Sequence, residues 1–318
     1  MKVLNRRTVI TLIAAAGAVA FSTGAWAAQK KIGMVLYDTS IPFFSNVITA
    51  AKKVADQNDV ALDVQNGNRD LATQIAIVQQ FITQEVDLIL IAPGDPRGIV
   101  PAIRQANAAN IPVMTINTKV DTSTGAKVAT YIGVDDFVFG QKQGELLVKT
   151  VGENAKVAYI VGQLGTSAQL DREAGLMDTL KKHPGIKIVA RSAADWDNSK
   201  ALAATQDFLS RFPKGSLDAI VDQGPEGVNG AKQARQNGRD DVKFIMGDYP
   251  ADVRSAIMDG TVVGTINQDP TPQGKVAMEN AINWLDGKQS EVPQPYNYLD
   301  LPTVTKDNAE TMPPAWGG

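Results

Sequence analysis

Flat aromatic rings and hydroxyl-binding side chains follow several short apolar runs in this sequence. The stretch VLYDTSIPFFSN at residues 35–46 places Phe43 and Phe44 side by side where a helix should begin, whereas a core would take such rings within a strand or helix. Comparable positions farther along hold Arg172 in GTSAQLDR and Trp196 in ADWD. Aromatic faces pack on the C–H face of a sugar ring, and guanidinium, amide and carboxylate groups pair with its hydroxyls. The combination indicates a site for a small polyhydroxylated ligand.

Other polar residues also follow apolar runs and extend this set. Open α/β sheets bind ligands beyond the carboxyl ends of their strands, so the residues after each run are candidates. Each also has an ordinary use as a helix cap or turn residue. These further candidates are Tyr37, Asp38, Asp95, Asn117, Asp135, Asp136, Gln163, Thr166, Ser167, Gln223, Glu226, Asp248 and Gln268.

The motifs of common enzyme mechanisms are absent from the sequence. It contains no GxSxG, no GxxxxGK[ST], no HExxH, and no GxGxxG after the first apolar run. The single histidine, His183 in KKHPG, is expected at a solvent-facing helix end, and there is no cysteine. We therefore expect no catalytic residues, no metal site and no cofactor.

Short β-branched runs alternate with amphipathic helical stretches from Lys31 onward. Runs such as DLILIA are almost continuously apolar, as in strands covered on both faces of a parallel sheet. The alternation predicts βαβ units and a doubly wound α/β fold, and the number of strands favours two sheets over one. The predicted strands are residues 31–37, 61–65, 87–92, 112–117, 128–134, 156–162, 186–192, 217–223, 242–247 and 262–267.

The first residues form a three-part export signal. Lys2, Arg6 and Arg7 give a basic start, residues 9–21 are apolar, and the triplet AWA ends at Ala27. The apolar run is too short for a membrane span, which needs about 20 residues. We predict a signal peptide over residues 1–27, cleaved after Ala27, and export of the remaining chain. The general and twin-arginine export routes both remain open.

The charge of the mature chain excludes one class of partner. Residues 1–27 carry three cations and no acid, so their removal changes the formal net charge from −3 to −6. An acidic protein has no electrostatic reason to bind nucleic acid.

Six segments, in this order, resemble the periplasmic sugar-binding proteins of ABC importers, in the type I branch that contains the ribose-binding proteins. The segments are IPFF at 41–44, IAP at 91–93, NIPVMTIN at 110–117, GTSAQLDR at 165–172, ADWD at 194–197 and GTINQDP at 264–270. The resemblance covers essentially the whole mature chain. It implies two Rossmann-like lobes joined by a three-strand hinge, with the ligand in the cleft between them.

The predicted division of the chain follows from this resemblance and from a weak internal repeat. The expected units are a signal peptide at 1–27, an N-terminal lobe at 28–134 plus 269–297, a C-terminal lobe at 135–268 plus 298–310, and a loose tail at 311–318.

The resemblance also assigns roles to eight residues. Phe43, Phe44 and Trp196 would enclose the sugar ring. Tyr37 would line the wall of the first lobe. The residues expected to bond the hydroxyls are Arg172, Asp248, Asn117 and Gln268.

Several positions differ from the ribose-binding pattern. The differences are Ile41 where an asparagine precedes the proline, Asn117-Thr118 where an Asp-Arg pair ends the fourth strand, Gly224-Pro225 in place of Asn-Asp, and Gly247 in place of an aromatic residue. Each lost polar contact would cost about 1 kcal/mol with ribose as the ligand. The two glycines predict extra room, which favours a different pentose, a hexose or a polyol.

We therefore predict a monomeric solute-binding protein that captures a monosaccharide or polyol and delivers it to an ABC permease in the inner membrane. A chemoreceptor is a second candidate partner. The main alternative is a receptor for a quorum signal or another small polar metabolite. A sugar-responsive repressor would need a helix-turn-helix where the export signal stands, and a secreted enzyme would need catalytic groups that the sequence lacks.

Overall fold

The computed structural model describes residues 29–317, so the predicted signal peptide lies outside the described residues. The described chain forms two sheets of six strands each. The first sheet has the order β11-β5-β4-β3-β1-β2. Its strands are β1 Lys31–Leu36, β2 Ala61–Asn66, β3 Leu88–Ala92, β4 Val113–Ile116, β5 Tyr131–Gly133 and β11 Tyr296–Tyr298.

The second sheet has the order β12-β10-β9-β8-β6-β7. All of its pairings are parallel except that of β12 with β10. Its strands are β6 Asn154–Val161, β7 Gly185–Ala193, β8 Ala219–Asp222, β9 Lys243–Gly247, β10 Gly264–Ile266 and β12 Thr303–Thr305.

The described residues form ten α-helices, of which the first nine connect strands and α10 follows β12. Each sheet is covered on both faces, which explains why central strands such as β3 are entirely apolar. The helices are α1 Pro42–Gln57, α2 Leu71–Thr83, α3 Val100–Ala108, α4 Asp136–Val151, α5 Ser167–Leu180, α6 Asn198–Arg211, α7 Val228–Gln236, α8 Ala251–Met258, α9 Pro270–Leu285 and α10 Lys306–Ala309.

The predicted two-sheet, parallel α/β architecture is confirmed. Each of the ten predicted strands is present, with ends that differ by a few residues. The sequence pattern missed β11 and β12, which are as short as β5 and β10 but lack their fully buried apolar run.

The chain passes between the two lobes three times. It leaves the first sheet after β5, returns after β10 with α9, which packs on α1, and crosses again between β11 and β12. The third crossing therefore follows Tyr298, slightly later than expected. Val134, Ile266 and Leu301, one from each crossing, pack together with Phe139 in a small apolar cluster. This cluster joins the three connections at the hinge.

The C-terminal segment contradicts the expectation of a loose tail over the residues that the structure describes. The Ala315 amide donates to the Tyr249 carbonyl at 2.8 Å, and the Ala251 amide donates to the Trp316 carbonyl at 3.0 Å. The Trp316 ring lies against Phe43 of the first lobe. The ends of a domain are often loose, but this indole packs on an apolar partner that the local sequence does not reveal.

No helix among residues 29–317 has the length and hydropathy of a membrane span.

Candidate functional site

A cavity of about 160 Å³ lies between the lobes, where the carboxyl ends of both sheets face each other. All eight residues expected at the site line this cavity, and both lobes contribute to it. The further lining residues are Ile41, Pro42, Thr118, Ala168, Asn198, Pro225, Glu226, Pro250, Asp252 and Trp316.

The first lobe supplies an aromatic wall at the start of α1. Pro42 occupies the first turn, where its fixed φ suits a helix start, and the two phenylalanines follow at once. The ring of Phe44 meets Tyr37 edge to face at 5.3 Å and Phe43 at 5.6 Å. Phe43 in turn meets Trp316 edge to face at 5.7 Å. The rings at this junction thus pack on one another as well as lining the cavity.

The second lobe supplies Trp196 from an unusual turn. Asp195 and Trp196 have φ angles of 52° and 57°, in the left-handed region that bulky side chains rarely adopt. The indole lies over Gly162, just after β6, and also packs against the apolar core of the first lobe. The structure therefore shows the two lobes in contact around the cavity.

Arg172 is almost completely buried in the second lobe. Its Nε donates to Asp136 at 2.9 Å and its Nη1 donates to the Gln223 carbonyl at 2.7 Å, while its guanidinium lies 3.8 Å from the centre of the Phe139 ring. Its carboxylate partner, Asp136, is the first residue of α4, whereas Arg172 lies in the second turn of α5.

Asp248 offers an unused hydrogen-bond acceptor at the cavity. Its backbone has a φ of 57°, and its amide donates to the Ile266 carbonyl at 2.8 Å, which fixes the residue at the end of β9. The carboxylate Oδ1 is buried, has no hydrogen-bond partner and lies 4.0 Å from Arg172 Nη1. Burial raises the pKa of Asp248 to about 7, although the Arg172 charge opposes the rise.

Two amide side chains meet across the lobe boundary. Asn117, which follows β4 with a φ of 64°, lies with its Nδ2 at 3.5 Å from Oε1 of Gln268. The same Oε1 accepts a hydrogen bond from Gln273 at 3.3 Å. These amides give the cavity neutral polar groups that can both donate and accept.

The space expected at Gly224 and Gly247 is already occupied. A Cβ on Gly224 would come within 2.0 Å of Glu226 Oε2, and one on Gly247 within 2.0 Å of the Gln223 carbonyl oxygen. The prediction of extra room was therefore wrong. Sequence reasoning could not foresee this, because the glycines are needed for a close approach rather than for a larger ligand.

Glu226 adds a carboxyl group that the predicted site did not include. Burial, followed by the charges of Asp222 and Asp248, raises the pKa of Glu226 well above its ordinary value. Burial likewise raises the pKa of Asp222 to about 7. The position of Glu226 after β8 was the only sequence signal for it, and Trp316 was missed because it lies in the segment taken for a tail.

A bridge between the lobes flanks the cavity at Lys119. Its amide donates to Ser167 Oγ at 2.7 Å, and its Nζ donates to Asp171 at 2.9 Å. The ammonium also lies 5.5 Å from the centre of the Tyr131 ring. Because Lys119 follows β4 and its partners belong to α5, these contacts form only when the lobes are together.

The described residues contain no cluster of histidine, aspartate or glutamate side chains arranged to hold a metal ion. His183 pairs instead with Glu153 at 2.8 Å near the surface. The geometry offers acceptors, a buried guanidinium and flat rings, which suit the binding of a ligand.

Two parallel α/β lobes with a lined cavity between them define a two-lobe binding protein. A family model described as the periplasmic binding protein domain matches residues 32–289. The chain therefore belongs to this family, as the sequence resemblance indicated.

Proteins from several bacteria are similar over nearly the full chain. The ribose import binding protein of Escherichia coli is 31% identical over 307 residues, covering 95% of this chain and 100% of that protein. A xylitol-binding protein of Mycolicibacterium smegmatis is 28% identical, covering 96% of this chain and 88% of the relative. A solved ABC transporter solute-binding protein from Mycobacterium smegmatis, with bound glycerol, has a TM-score of 0.81 at 30% identity and covers 89% of this chain and 96% of its own.

Proposed function

We propose that the protein captures a monosaccharide or polyol in the periplasm by closing its two lobes on the ligand, and that it delivers this ligand to a membrane permease of an ABC importer. The observation that carries the proposal is the convergence of Tyr37, Phe43, Phe44 and Asn117 from the first lobe with Arg172, Trp196 and Asp248 from the second on one cavity. A ligand that contacts both walls favours the closed state by its differential affinity for that state.

The chemistry of the lining favours hydroxyl donors on the ligand. Asp248 and Glu226 present carboxyl groups, and Asp248 Oδ1 has no partner in the protein. The Arg172 charge is already bonded to Asp136. A compact neutral molecule with several hydroxyls can donate to these oxygens while its C–H face covers the rings.

The size of the cavity supports a small ligand. A volume of about 160 Å³ is well below the roughly 300–1,000 Å³ typical of pockets for drug-sized molecules. The named relatives bind ribose and xylitol, and the solved structure holds glycerol, all compact polyhydroxylated molecules. Because Asn117-Thr118 and Gly224-Pro225 change the polar lining expected for ribose, we favour a polyol or another monosaccharide.

A thermal-shift screen of the chain from residue 28 onward tests the ligand class. The panel contains D-ribose, D-allose, xylitol, myo-inositol and glycerol, together with a furanone signal for the alternative function. A compound present at 100 times its dissociation constant should stabilise the protein by about 2.7 kcal/mol. We expect stabilisation by a polyhydroxylated compound, lost in Trp196→Ala and Arg172→Ala.

Trp284→Ala is the matched control, because Trp284 packs on the core of the first lobe but does not line the cavity. It should lower the starting melting temperature and retain the ligand-induced shift. Stabilisation by the furanone signal alone would replace the proposed ligand class with the quorum-signal alternative.

Delivery to a permease is tested by uptake. Cells that lack this protein should fail to accumulate the radiolabelled compound identified in the screen, and expression of the wild-type chain should restore uptake. Restoration by a variant that no longer binds the compound would contradict delivery through this site.

A further inference from the structure

The turn that carries Trp196 is held by a residue of the opposite lobe. Arg69, in the loop after β2, donates from Nη1 to the carbonyl oxygen of Asp195 at 2.7 Å. Asp195 immediately precedes Trp196, and both have left-handed φ angles. Consecutive residues of this kind are unfavourable unless their surroundings hold them, and such strain concentrates at ligand-binding sites.

The first lobe fixes the position of this arginine. The Nε of Arg69 is bonded to Asp38 Oδ2 at 2.5 Å, and its amide donates to the Tyr37 carbonyl at 2.6 Å. The other carboxylate oxygen of Asp38 accepts hydrogen bonds from the Ser40 amide at 2.9 Å and the Ser40 hydroxyl at 2.6 Å. One end of the guanidinium is thus held within the first lobe, and the other reaches the second lobe.

The second lobe holds the turn through contacts of its own, since the Asp197 amide donates to the Ala194 carbonyl at 2.9 Å and closes the turn. The Asp195 carboxylate pairs with Lys200 at 2.7 Å, and Asp197 caps α6 through the Lys200 amide at 2.9 Å. Among the described residues, the hydrogen-bond donor to the Asp195 carbonyl is Arg69, from the first lobe. Arg69 does not line the ligand cavity, so its side chain would affect a bound ligand through the residues that it bonds, of which the turn before Trp196 is the one in the opposite lobe.

We propose that Arg69 is a positioning residue for Trp196: when the lobes close, the Asp38–Arg69 pair binds the Asp195 carbonyl and stabilises the left-handed turn that places the indole in the cavity. This inference rests on the hinge closure of the proposed function. The contact forms between the lobes and does not involve the ligand. Closure of the lobes would therefore be enough to hold Trp196 at the cavity. A guanidinium suits this role because it can bond two oxygens at once in a fixed geometry.

The variants separate this role from a general loss of charge. Arg69→Ala removes both bonds, Arg69→Lys keeps a cation beside Asp38 but lacks the forked donors, and Asp38→Asn weakens the hold on the arginine. Arg97→Ala is the matched control, because Arg97 pairs with Asp121 at 3.2 Å within the first lobe.

The chain has no cysteine, so Lys52→Cys on α1 and Ala203→Cys on α6 allow spin labels on opposite lobes.

Two measurements report on the inference. Label distances give the closed fraction in buffer and in D-ribose, D-allose, xylitol and myo-inositol, and calorimetry gives the affinity for each probe that binds. We expect Arg69→Ala to lower the closed fraction and to weaken every bound probe by the same factor, about tenfold, as for loss of a charge-assisted hydrogen bond. Arg69→Lys and Asp38→Asn should change both quantities in the same direction, and Arg97→Ala should change neither.

A double-mutant cycle distinguishes positioning from a structural role. If Arg69 acts through Trp196, Arg69→Ala has a smaller effect on affinity in a Trp196→Phe background, which keeps an aromatic ring and a measurable affinity, than in the wild type. Equal closed fractions and affinities in Arg69→Ala and Arg97→Ala would overturn the inference, as would additive effects in the cycle. If no probe alters the label distance of the wild type, the proposed function fails, and the closed fractions of wild type and Arg69→Ala in buffer then decide the inference.

Discussion

The indole of Trp196 occupies the space where a side chain on Gly162 would lie. A Cβ at position 162 would approach Trp196 Cζ2 to 1.9 Å. Gly162→Ala should therefore displace the ring and weaken ligand binding, since overpacking of this kind costs about 1–3 kcal/mol. Calorimetry with the compound that stabilises the wild type measures the loss.

Gly94→Ala is the control for Gly162→Ala, because Gly94 also lies near the cleft but belongs to the first lobe. Its Cβ would have ordinary contacts with Gln74 and Tyr37 at 3.5 Å. It should retain the wild-type affinity. Full affinity in Gly162→Ala would show that the indole is not held in this position when ligand binds.

Removal of Arg172 alone should destabilise the fold as well as abolish binding. Arg172→Met leaves the buried Asp136 carboxylate without its partner, which typically costs about 3–5 kcal/mol. Arg172→Met combined with Asp136→Asn removes both charges and should recover much of the free energy of unfolding, but not the affinity. Chemical denaturation and calorimetry measure the two effects separately.

Arg191→Ala serves as the comparison for that pair. Arg191 bonds Glu173, which belongs to the same helix as Arg172, but at the surface, where such pairs contribute about 1 kcal/mol or less. It should leave affinity unchanged. If the double variant is as unstable as Arg172→Met, the unpaired Asp136 charge is not the cause.

Trp316→Ala should weaken ligand binding by about 2 kcal/mol, a value typical of a central aromatic contact. Its ring supports Phe43 and lines the cavity, while its backbone carbonyl accepts a hydrogen bond from Ala251, the first residue of α8. Trp284→Ala removes an indole of equal size away from the cavity and should affect stability alone. A normal affinity in Trp316→Ala would show that this ring does not contribute to the site.

Stability should fall as the pH rises from 5 to 8. Burial raises the pKa of Asp222 and Asp248 to about 7, whereas the unfolded values are about 4. The folded protein therefore binds more protons across this interval, so its stabilisation is complete below pH 4 and is lost as the pH approaches and passes 7. Denaturation midpoints at four pH values measure the slope.

Glu226→Gln should reduce that slope, because it removes a buried carboxyl whose pKa is also raised. Glu145→Gln, at an exposed position of α4, controls for the loss of one acidic residue. A rise in stability from pH 5 to 8 in the wild type would contradict the assignment of these carboxyls as buried acids.

Local patterns were sufficient to predict ten of the twelve strands and the region of the site. A run such as DLILIA specifies a covered strand by itself, and the end of a parallel strand is where ligands bind, so Asn117 and Asp248 were accessible to sequence reasoning. The two-lobe arrangement and several roles required the family resemblance.

Features that depend on long-range contacts were not accessible. The partner of Arg172 lies in another helix, the space beside Gly247 is filled by the Gln223 carbonyl, and Trp316 packs on a ring from the opposite lobe. In each case the local sequence was also compatible with a side chain in solvent or with empty space beside the residue. Only the tertiary fold determines which one occurs.

The distribution of tryptophans gives the chain from residue 28 onward an intrinsic optical reporter. Trp196 and Trp316 both border the cavity, from two different parts of the chain, whereas Trp284 does not. Expulsion of water from the cleft should therefore alter the emission of the first two indoles and leave that of the third unchanged. A Trp284→Phe protein would fluoresce only from its cavity-facing residues, so unlabelled samples would reveal occupancy in stopped-flow experiments.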